Sequence, residues 1–578
     1  MNTIMKKALT SLVFVLAFAV CSTAAFAGIL KRPYLIYPGN NTTMEVLWQD
    51  TATETTNTIS WGTDTTYSLG STAVSENNSS ANQHIYTITG LTPNTLYYYQ
   101  VTADGNPADG VYGSGSFLTA PAANATSVQF IGLGDTRTQP NALDMVEAEV
   151  NKVVAANPSY QGLAIHDGDW VATDAETDWT NEWFSPNMAD SIKFLSQVPV
   201  NGAKGNHEDD GGYSIYFPKY YPFPWTQVSQ VGTKGSLPEL NNFFWSFDYG
   251  PVHFTIVDQY SEQKTVNGQS GTSGPSVGST QYNWLVSDLT AASNNPNTPW
   301  KVLIYHEPAW NSGTHTNNLY AQQIMDPLVK QYNVDVVYTG HSHNYTRCGV
   351  YSTQTTSDSI APNVPYVTEG DSGAPNDTVD LTNTTTGSSQ GWRHILLADE
   401  TYSYMTFDVE GKTMTMKAWS VIQSNGAPVV GVTNTSTAPS YTSVTPTTSV
   451  PIETVVLNHF TDMTSQVSAT TTGYGYNRVS KLYTTNLTIT NNGPALTGNV
   501  DVALNGLVSG VTATAAIAKN NGLTPGITLT NATGQNNGAP MITASTSGLA
   551  SGASITIPLT FSTTSGAAIN FTPVILQE

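Results

Sequence analysis

The segment VDVVYTGHSHNYTR, residues 334–347, joins a short apolar run to a cluster of polar residues. An apolar run such as 334–338 is typical of a strand that is buried on both faces of its sheet. Gly340 lets the backbone turn sharply where this strand ends, and two histidines follow at positions 341 and 343. Ligands of α/β proteins gather beyond the carboxyl ends of the strands. The segment therefore predicts an α/β domain with a polar site at one sheet edge.

Four further motifs of the same kind stand earlier in the chain, most of them after an apolar run. They are Gly134-Asp135-Thr136-Arg137, Gly168-Asp169-Trp170-Val171, Gly205-Asn206-His207-Glu208 and His306-Glu307-Pro308. Carboxylates, amide oxygens and imidazoles are the donors that Zn, Mn and Fe ions accept. Five of the ten histidines fall in or beside the five motifs: His207, His306, His315, His341 and His343. The ordered set predicts one metal site built from several strand ends.

Apolar strands alternate with helical patterns from about residue 126 to about residue 422. Leu143, Val146, Val150 and Val153 recur on one face of a helix. Shorter helical patterns occupy 284–289 and 324–329. This order predicts a central α/β sandwich domain at 123–424.

The flanking regions have a different pattern. Residues 28–122 contain short alternating runs, such as 44–48, 59–61 and 85–88, which predict a β-sandwich. The turn at 90–95 and the tyrosine-rich run at 96–101 resemble a fibronectin type III module. Residues 425–455 are rich in Thr, Ser, Pro and Val and are interpreted as a linker. Alternation returns at 456–578, which predicts a second β-sandwich at the C-terminal end.

Length and composition agree with several folded domains. The chain has 578 residues, which favours three or four domains, and its net charge of −22 excludes a general nucleic-acid-binding surface. Charged residues make up only 11% and aromatic residues 10%, so the chain lacks the composition of a disordered protein.

Residues 1–27 have the pattern of a secretory signal peptide. Lys6 and Lys7 precede an apolar run at 8–20, and Ala25-Phe26-Ala27 is a small-residue cleavage site. We therefore expect an exported protein, which is periplasmic, secreted or at the cell surface, with no transmembrane segment after cleavage. Cys21 would be removed with the signal, and Cys348 is expected to be a packed thiol.

Taken together, the five motifs resemble the calcineurin-like metallophosphoesterase family. Within this family, the chain most resembles the purple acid phosphatase branch, which also has a fibronectin-like module in front of the catalytic domain. Asn311, Ser312 and His315, which follow the fourth motif, match residues of that branch as well. The same holds for residues 340–347, which match Gly-His-x-His-x-Tyr-x-Arg. The resemblance covers about residues 29–420.

This resemblance implies a hydrolase acting on phosphoric ester bonds, as a phosphomonoesterase or phosphodiesterase with a phosphate-ester substrate. Two divalent or trivalent metal ions (Fe, Zn or Mn) would activate a hydroxide for attack on phosphorus. Asp169 would bridge the ions. Asp135 and His343 would hold an ion at the first position; Asn206, His306 and His341 would hold one at the second. His207 would protonate the leaving oxygen or donate a hydrogen bond to the phosphate, and His315 would bind a phosphate oxygen.

Two positions depart from the family pattern. Most of the family has a histidine ligand at position 137, and purple acid phosphatases have a tyrosine ligand at position 172; here Arg137 and Ala172 stand there. We expect the first position to be the weaker one, completed by water or by a residue outside the motifs. Arg137 is an alternative phosphate-binding residue. A non-catalytic surface or binding protein on a degenerate phosphatase scaffold is the competing function.

Two further expectations concern the rest of the chain. Gly370-Asp371-Ser372-Gly373-Ala374-Pro375 resembles the nucleophile segment of a trypsin-like protease, but the matching histidine segment is absent, so a structural loop is expected. Residues 456–578 carry no catalytic motif, and contact with a cell surface is one role open to them. A chain that ends near residue 425 is expected to keep its catalytic rate.

Overall fold

The computed structural model describes residues 29–51, 56–75, 82–103, 106–107, 113–262, 274–313, 315–349, 364–379, 395–424, 426, 447–507, 527–536, 539–563 and 568–578. The predicted signal peptide with Cys21, and residues 425 and 427–446 of the predicted linker, lie outside the described residues. Among the helices described, none is both long enough and apolar enough to cross a membrane.

The N-terminal unit is a β-sandwich. Its strands are β1 (Ile29–Ile36), β2 (Met44–Asp50), β3 (Asn57–Gly62), β4 (Gly70–Ala73), β5 (Gln83–Ile88), β6 (Leu96–Ala103), β7 (Asn106–Pro107) and β8 (Ser114–Leu118). One sheet has the order β1-β2-β5, and the other has β4-β3-β6-β7 with β8 beside β6. Alternate residues, such as Trp48, Ile59 and Val101, are buried between the sheets, as the period of two predicts.

The central unit contains fifteen described strands. They are β9 (Ser127–Leu133), β10 (Ala164–His166), β11 (Val200–Gly202), β12 (Ser229–Lys234), β13 (Leu237–Asn241), β14 (Trp245–Tyr249), β15 (Val252–Ile256), β16 (Trp300–Ile304), β17 (Val336–Thr339), β18 (Tyr345–Cys348), β19 (Tyr366–Glu369), β20 (Ile395–Asp399), β21 (Ser403–Glu410), β22 (Thr413–Gln423) and β23 (Thr447–Asn458). Its helices are α1 (Pro140–Ala156), α2 (Glu176–Asp178), α3 (Ala189–Leu195), α4 (Phe217–Tyr220), α5 (Thr280–Ser293) and α6 (Asp326–Tyr332). A 3-10 turn spans Pro158–Gly162, and π-helical turns span Trp179–Trp183 and Ala321–Met325.

Two sheets pack face to face in this unit. The order is β11-β10-β9-β21-β22-β23 in one sheet and β14-β15-β16-β17-β19-β18-β20 in the other. Phe130 of β9 meets Phe254 of β15 edge to face at 5.2 Å, which joins the two sheets through one core. Strands β9–β11 run parallel to one another, and so do β15, β16, β17 and β19. The carboxyl ends of both parallel sets carry the five motifs.

Helices cover the outer faces where the sequence predicted them. Pro140 at the first turn suits the start of α1, whose face with Leu143, Val146 and Val150 is buried. Ser279 caps α5 by accepting a hydrogen bond from the Tyr282 amide. The pattern at 324–329 begins in the π-helical turn and continues into α6.

The linker prediction at 425–455 is wrong over residues 447–455. These residues belong to β23, which pairs with β22 along its whole length as the edge of the six-stranded sheet. Thr, Ser and Val suit an exposed edge strand as well as they suit a linker, so composition cannot separate the two. Pro451 lies where the register shifts between Ala418 and Trp419, a place where an edge strand tolerates proline. The central unit therefore extends to Asn458 rather than ending at 424.

The C-terminal unit is a second β-sandwich, as predicted. Its strands are β24 (Thr461–Asp462), β25 (Val467–Thr471), β26 (Gly475–Asn477), β27 (Leu482–Asn491), β28 (Val500–Asn505), β29 (Ile527–Leu529), β30 (Gly534–Asn536), β31 (Ala539–Ser545), β32 (Ser554–Thr563) and β33 (Thr572–Gln577), with a 3-10 turn at Thr464–Gln466. The sheets are β24-β33-β28-β31-β30 and β25-β27-β32-β29, with β26 beside β27. The side-chain amide of Gln535 donates a hydrogen bond to the backbone carbonyl of Thr454, so this unit contacts the central one through β23.

Candidate metal centre

The backbone is strained where three motifs leave their strands. Asp135, Asp169 and His341 have φ values of 45°, 56° and 68°, in the left-handed region that most side chains avoid. A Cβ on Gly340 would lie 2.1 Å from Asp135 Oδ2, so only glycine fits there. The strain brings the His341 amide to Asp135, where it donates a hydrogen bond of 2.8 Å. The three motifs are thus held against one another at the sheet edge.

Asp169, Asn206, His306 and His341 form one donor set. The buried His306 has Nδ1 3.1 Å from the Asp167 carbonyl, which assigns that nitrogen its proton. Its Nε2 lies 3.2 Å from Asp169 Oδ1. His341 Nδ1 lies 2.9 Å from Asn206 Oδ1. Ligand atoms of Asp169, His306 and His341 all lie within 4.8 Å of one another.

This donor set fits a metal ion. Metal bonds of about 2.1 Å place neighbouring ligand atoms about 3 Å apart, which is the spacing of these pairs. His306 Nε2 and Asp169 Oδ1 are both acceptors when the imidazole is neutral, so a proton or a cation must lie between them. Burial lowers the pKa of His306, but the carboxylates of Asp169 and Asp135 outweigh burial and raise that pKa to about 9. The pocket therefore attracts positive charge.

Asp135, Asp169 and His343 form a second group of possible ligands within 4.8 Å. The guanidinium of Arg137 already contacts two of them. Its Nε donates to Asp169 Oδ2 at 3.2 Å, and its Nη2 lies 2.9 Å from His343 Nε2. His343 Nδ1 lies 2.8 Å from the Pro375 carbonyl, so Nδ1 carries the proton and Nε2 accepts from Arg137. Burial and the Arg137 charge lower the pKa of His343 to about 4, which keeps the imidazole neutral.

His207 and His315 border the same cleft. His207 Nδ1 lies 2.6 Å from the Ala172 carbonyl, and its Nε2 lies 3.7 Å from Asp169 Oδ2. The ring of His315 lies 4.1 Å from the ring of His341, and its Nε2 is 3.6 Å from Asp377 Oδ2. The structure thus brings together every residue that the sequence predicted for the site.

Three carboxylates that sequence reasoning gave no role also shape the site. Glu208 is buried and accepts hydrogen bonds from the amides of Asp169, Val171 and Gly205, which ties the second motif to the third. Its position directly after His207 was the available signal. Asp167 is buried beside Asp135, and its two oxygens have no hydrogen-bond partner among the described residues. Burial, with the charges of Asp135 and Glu369, raises the pKa of Asp167 well above its ordinary value.

Glu182 is the third of these carboxylates, and it fixes the backbone at the two departures from the family pattern. Its Oε2 accepts the amides of Thr138 and Ala172, each at 2.8 Å. Residue 172 therefore offers backbone atoms to Glu182 and His207, and its methyl side chain supplies no ligand. No motif in the sequence pointed to Glu182.

The protease-like segment is a structural support for the centre. Ser372 is buried, accepts the Gly134 amide at 3.2 Å and donates to the Ser403 carbonyl at 3.0 Å. Pro375 supplies the carbonyl that orients His343, and Asp377 accepts the His343 amide at 3.2 Å. Ser372 is thus committed to the backbone, as expected of a structural loop.

Comparison with known families matches both of the first two units. Residues 129–345 match the calcineurin-like phosphoesterase family, and residues 31–119 match the purple acid phosphatase N-terminal domain. The resemblance predicted from the motifs is therefore confirmed.

Individual relatives are distant. Purple acid phosphatase 23 of Arabidopsis thaliana is 28% identical over 50% of this chain and 62% of its own length. An uncharacterised protein of Mycobacterium tuberculosis is 27% identical over 53% of this chain and 60% of its own length. The chain thus spans about three fifths of these relatives. The solved structure of PhoD shares the fold, with a TM-score of 0.55 at 14% identity over 75% of this chain and 91% of that one.

Proposed function

We propose that this chain, which carries a calcineurin-like phosphoesterase domain behind a purple acid phosphatase N-terminal domain, is a metal-dependent hydrolase of phosphoric esters. The observation that carries the proposal is the open donor set of Asp169, Asn206, His306 and His341 at the strand ends. Relatives named purple acid phosphatase and acid phosphatase support the same reaction class.

The donor set would hold a divalent or trivalent ion such as Fe, Zn or Mn. When bound, such an ion neutralises charge on a phosphate ester and lowers the pKa of a water molecule. Glu208 fixes the backbone of Asp169 and Gly205, so the ligands on both motifs keep their spacing. Without that carboxylate, three buried amides would lose their acceptor.

His207 is the proposed proton donor to the leaving oxygen. The Ala172 carbonyl holds its Nδ1, so the second proton of the imidazolium sits on Nε2, at the Asp169 side of the cleft. His207 is partly exposed, which leaves room for a leaving group beside it. Proton transfer from a positioned histidine contributes about 100-fold to 10,000-fold to such reactions.

Arg137 and His315 are the proposed phosphate-binding residues. The guanidinium of Arg137 has a side-chain exposure of 14%, and each of its two terminal nitrogens keeps one N–H beyond those given to Thr138 and His343. A guanidinium can bind two phosphate oxygens in a bidentate manner. The partly exposed imidazole of His315 lies beside His341, where it can meet a third oxygen.

The second candidate function is a non-catalytic binding protein on the same scaffold. Arg137 and Ala172 favour it, because each replaces a ligand of the family pattern. The retained Asn206, His306 and His341 favour catalysis. Hydrolysis itself separates the two functions.

The test is hydrolysis of a chromogenic phosphate monoester and of the matching diester, after loading the protein with Mn²⁺, Zn²⁺ or Fe³⁺ in turn. We expect Asn206→Ala and His341→Ala to lose at least about 100-fold in kcat/KM while keeping the melting temperature. His84→Ala is the control, because His84 stacks on Trp48 in the N-terminal sandwich and does not belong to the donor set. Wild-type protein that binds phosphate esters without cleaving either one would favour the second candidate.

We also propose that the chain is exported, on the strength of the signal-like pattern at 1–27. Fractionation of expressing cells, with N-terminal sequencing of the mature chain, tests it: a chain that begins at Gly28 outside the cytoplasm supports export. A full-length chain confined to the cytoplasm contradicts it. Contact of residues 456–578 with a cell surface stays a prediction.

A further inference from the structure

The two halves of the candidate centre differ in what faces the donor atoms. In one half, His306 Nε2 lies 3.2 Å from Asp169 Oδ1 and His341 Nδ1 lies 2.9 Å from Asn206 Oδ1, so imidazole nitrogens and side-chain oxygens face one another directly. In the other half, Arg137 reaches both Asp169 Oδ2 and His343 Nε2. The guanidinium thus lies among the donor atoms that the family pattern gives to the first metal ion.

The protonation of His343 makes this contact exclusive. The Pro375 carbonyl can only accept, so His343 Nδ1 must carry the ring proton and Nε2 has a single lone pair. That lone pair accepts from Arg137 Nη2 at 2.9 Å. A metal ion at the first position would need the same lone pair, so guanidinium and metal compete for one donor.

Arg137 is held in place at both ends of its guanidinium. Nε and Nη2 bind Asp169 and His343, while Nη1 donates to Thr138 Oγ1 at 3.1 Å. The next backbone amide, that of Thr138, is fixed in turn by Glu182, at a φ of 74° that most residues avoid. The contacts follow from a shaped loop rather than from one free side chain.

Charge gives the same result as geometry. Asp135 and Asp169 are buried carboxylates at the first position, and a cation beside Asp169 Oδ2 offsets one of their two negative charges. Arginine keeps its positive charge in proteins, so the Arg137 guanidinium supplies that cation. A metal ion entering beside it would meet like charge at short range.

We infer that Arg137 takes the place of the first metal ion, so that this chain binds a single ion, held by Asp169, Asn206, His306 and His341. The use of that ion in catalysis rests on the proposed function, but the number of ions does not. In the resulting centre, one metal ion and the Arg137 guanidinium would together supply the positive charge that faces the phosphate group.

The experiment counts metal ions in full-length protein. The protein is stripped with chelator, incubated with excess Mn²⁺, desalted and analysed for metal per chain, and its electron paramagnetic resonance spectrum is recorded. We expect one Mn²⁺ per chain with the spectrum of isolated ions. Asn206→Ala, which removes a ligand of that ion, should lower retention at least about tenfold.

Variants at position 137 separate the contributions of charge and ligand. Arg137→Gln removes the cation without adding a ligand, and Arg137→His restores the ligand of the family pattern. We expect a second ion to bind at least about tenfold more tightly in the histidine variant than in wild type, with an exchange-coupled spectrum. The affinity of the glutamine variant for a second ion should lie between those of wild type and the histidine variant. Melting curves of the chelated proteins confirm that each variant is folded.

Two results would overturn the inference: two tightly held ions per wild-type chain, or the same single-ion count in all three proteins. If the wild type binds one ion but cleaves no phosphate ester, the proposed function fails while the inference stands. If the wild type holds two coupled ions and cleaves a phosphate ester, the inference fails while the proposed function stands.

Discussion

Replacing Glu453 with alanine would remove the partner of a buried cation inside the central unit. Glu453 lies in β23, within the region predicted to be a linker, and Arg347 is the last residue of the motif at 340–347. Arg347 Nε and Nη2 donate to the two Glu453 oxygens at 2.7 and 2.8 Å, and the Tyr345 hydroxyl donates to one of them at 2.7 Å. Both ion-pair partners are only 2% exposed.

The expected loss follows from that geometry. Removing one partner of a buried ion pair costs about 3–5 kcal/mol, because the other charge is left without compensation. The Tyr345 hydroxyl loses its acceptor as well, which costs about 1 kcal/mol more. The sum is a large share of the roughly 5–15 kcal/mol that stabilises a typical folded domain. Because β18 directly follows His341 and His343, the same change should also loosen the centre and weaken metal retention.

Unfolding in guanidinium chloride, followed by tryptophan fluorescence, measures this loss of stability. All twelve tryptophans precede residue 420, so the signal reports the first two units and not the C-terminal sandwich. Asp210→Ala is the control, because Asp210 pairs with Lys234 at 3.6 Å on the surface, where the partners are 56% and 62% exposed. Exposed pairs contribute up to about 1 kcal/mol. If Glu453→Ala unfolded at the same denaturant concentration as Asp210→Ala, the buried pair would not support the central unit as argued.

Three further outcomes are expected. A chain that ends after residue 424 should fail to fold, because it lacks β23 and Glu453. A chain that ends after residue 462 should fold and keep its kcat. Equal activity of the two shortened chains would contradict the assignment of β23. Iron-loaded protein should show no visible tyrosinate-to-iron band, because position 172 is alanine, and a purple sample would refute this. Burial lowers the pKa of His253, but the carboxylates of Asp248 and Asp288 outweigh burial and raise that pKa to about 9. The protonated imidazole therefore contributes fully to stability below about pH 6.5, and this contribution is lost as the pH rises to about 9. The melting temperature should therefore fall over that range in wild type and fall less in His253→Gln.

The sequence predicts the two sandwiches and the α/β order because periods of two and 3.6 are properties of local chain geometry. The motif residues could also be predicted to meet, since parallel strands end at one edge and carry their terminal residues with them. Glu208 could have been included on the same reasoning, as its motif was already recognised. Glu182 could not, because it reaches the centre from a π-helical turn with no motif of its own.

The boundary of the central unit shows where composition fails. Residues 447–455 have the Thr, Ser, Pro and Val content of a linker, and an edge strand that is exposed on one side has the same content. What makes it a strand is its partner, β22, and the buried Arg347 that needs Glu453. Neither is near 447–455 in the sequence, so no local pattern could report them.

The role of Arg137 depends on contacts that are still more distant in the chain. The sequence shows that a ligand is missing at 137, but whether a guanidinium points into the first position or away from it depends on the acceptors available there. One of these acceptors is His343 Nε2, and it depends on Pro375. The Pro375 carbonyl holds the His343 proton on Nδ1, which leaves Nε2 to accept a hydrogen bond. A backbone carbonyl more than 200 residues from Arg137 thus determines whether that arginine can replace a cation. If Pro375 offered no carbonyl, His343 could donate from Nε2, and the guanidinium would meet a donor instead of an acceptor.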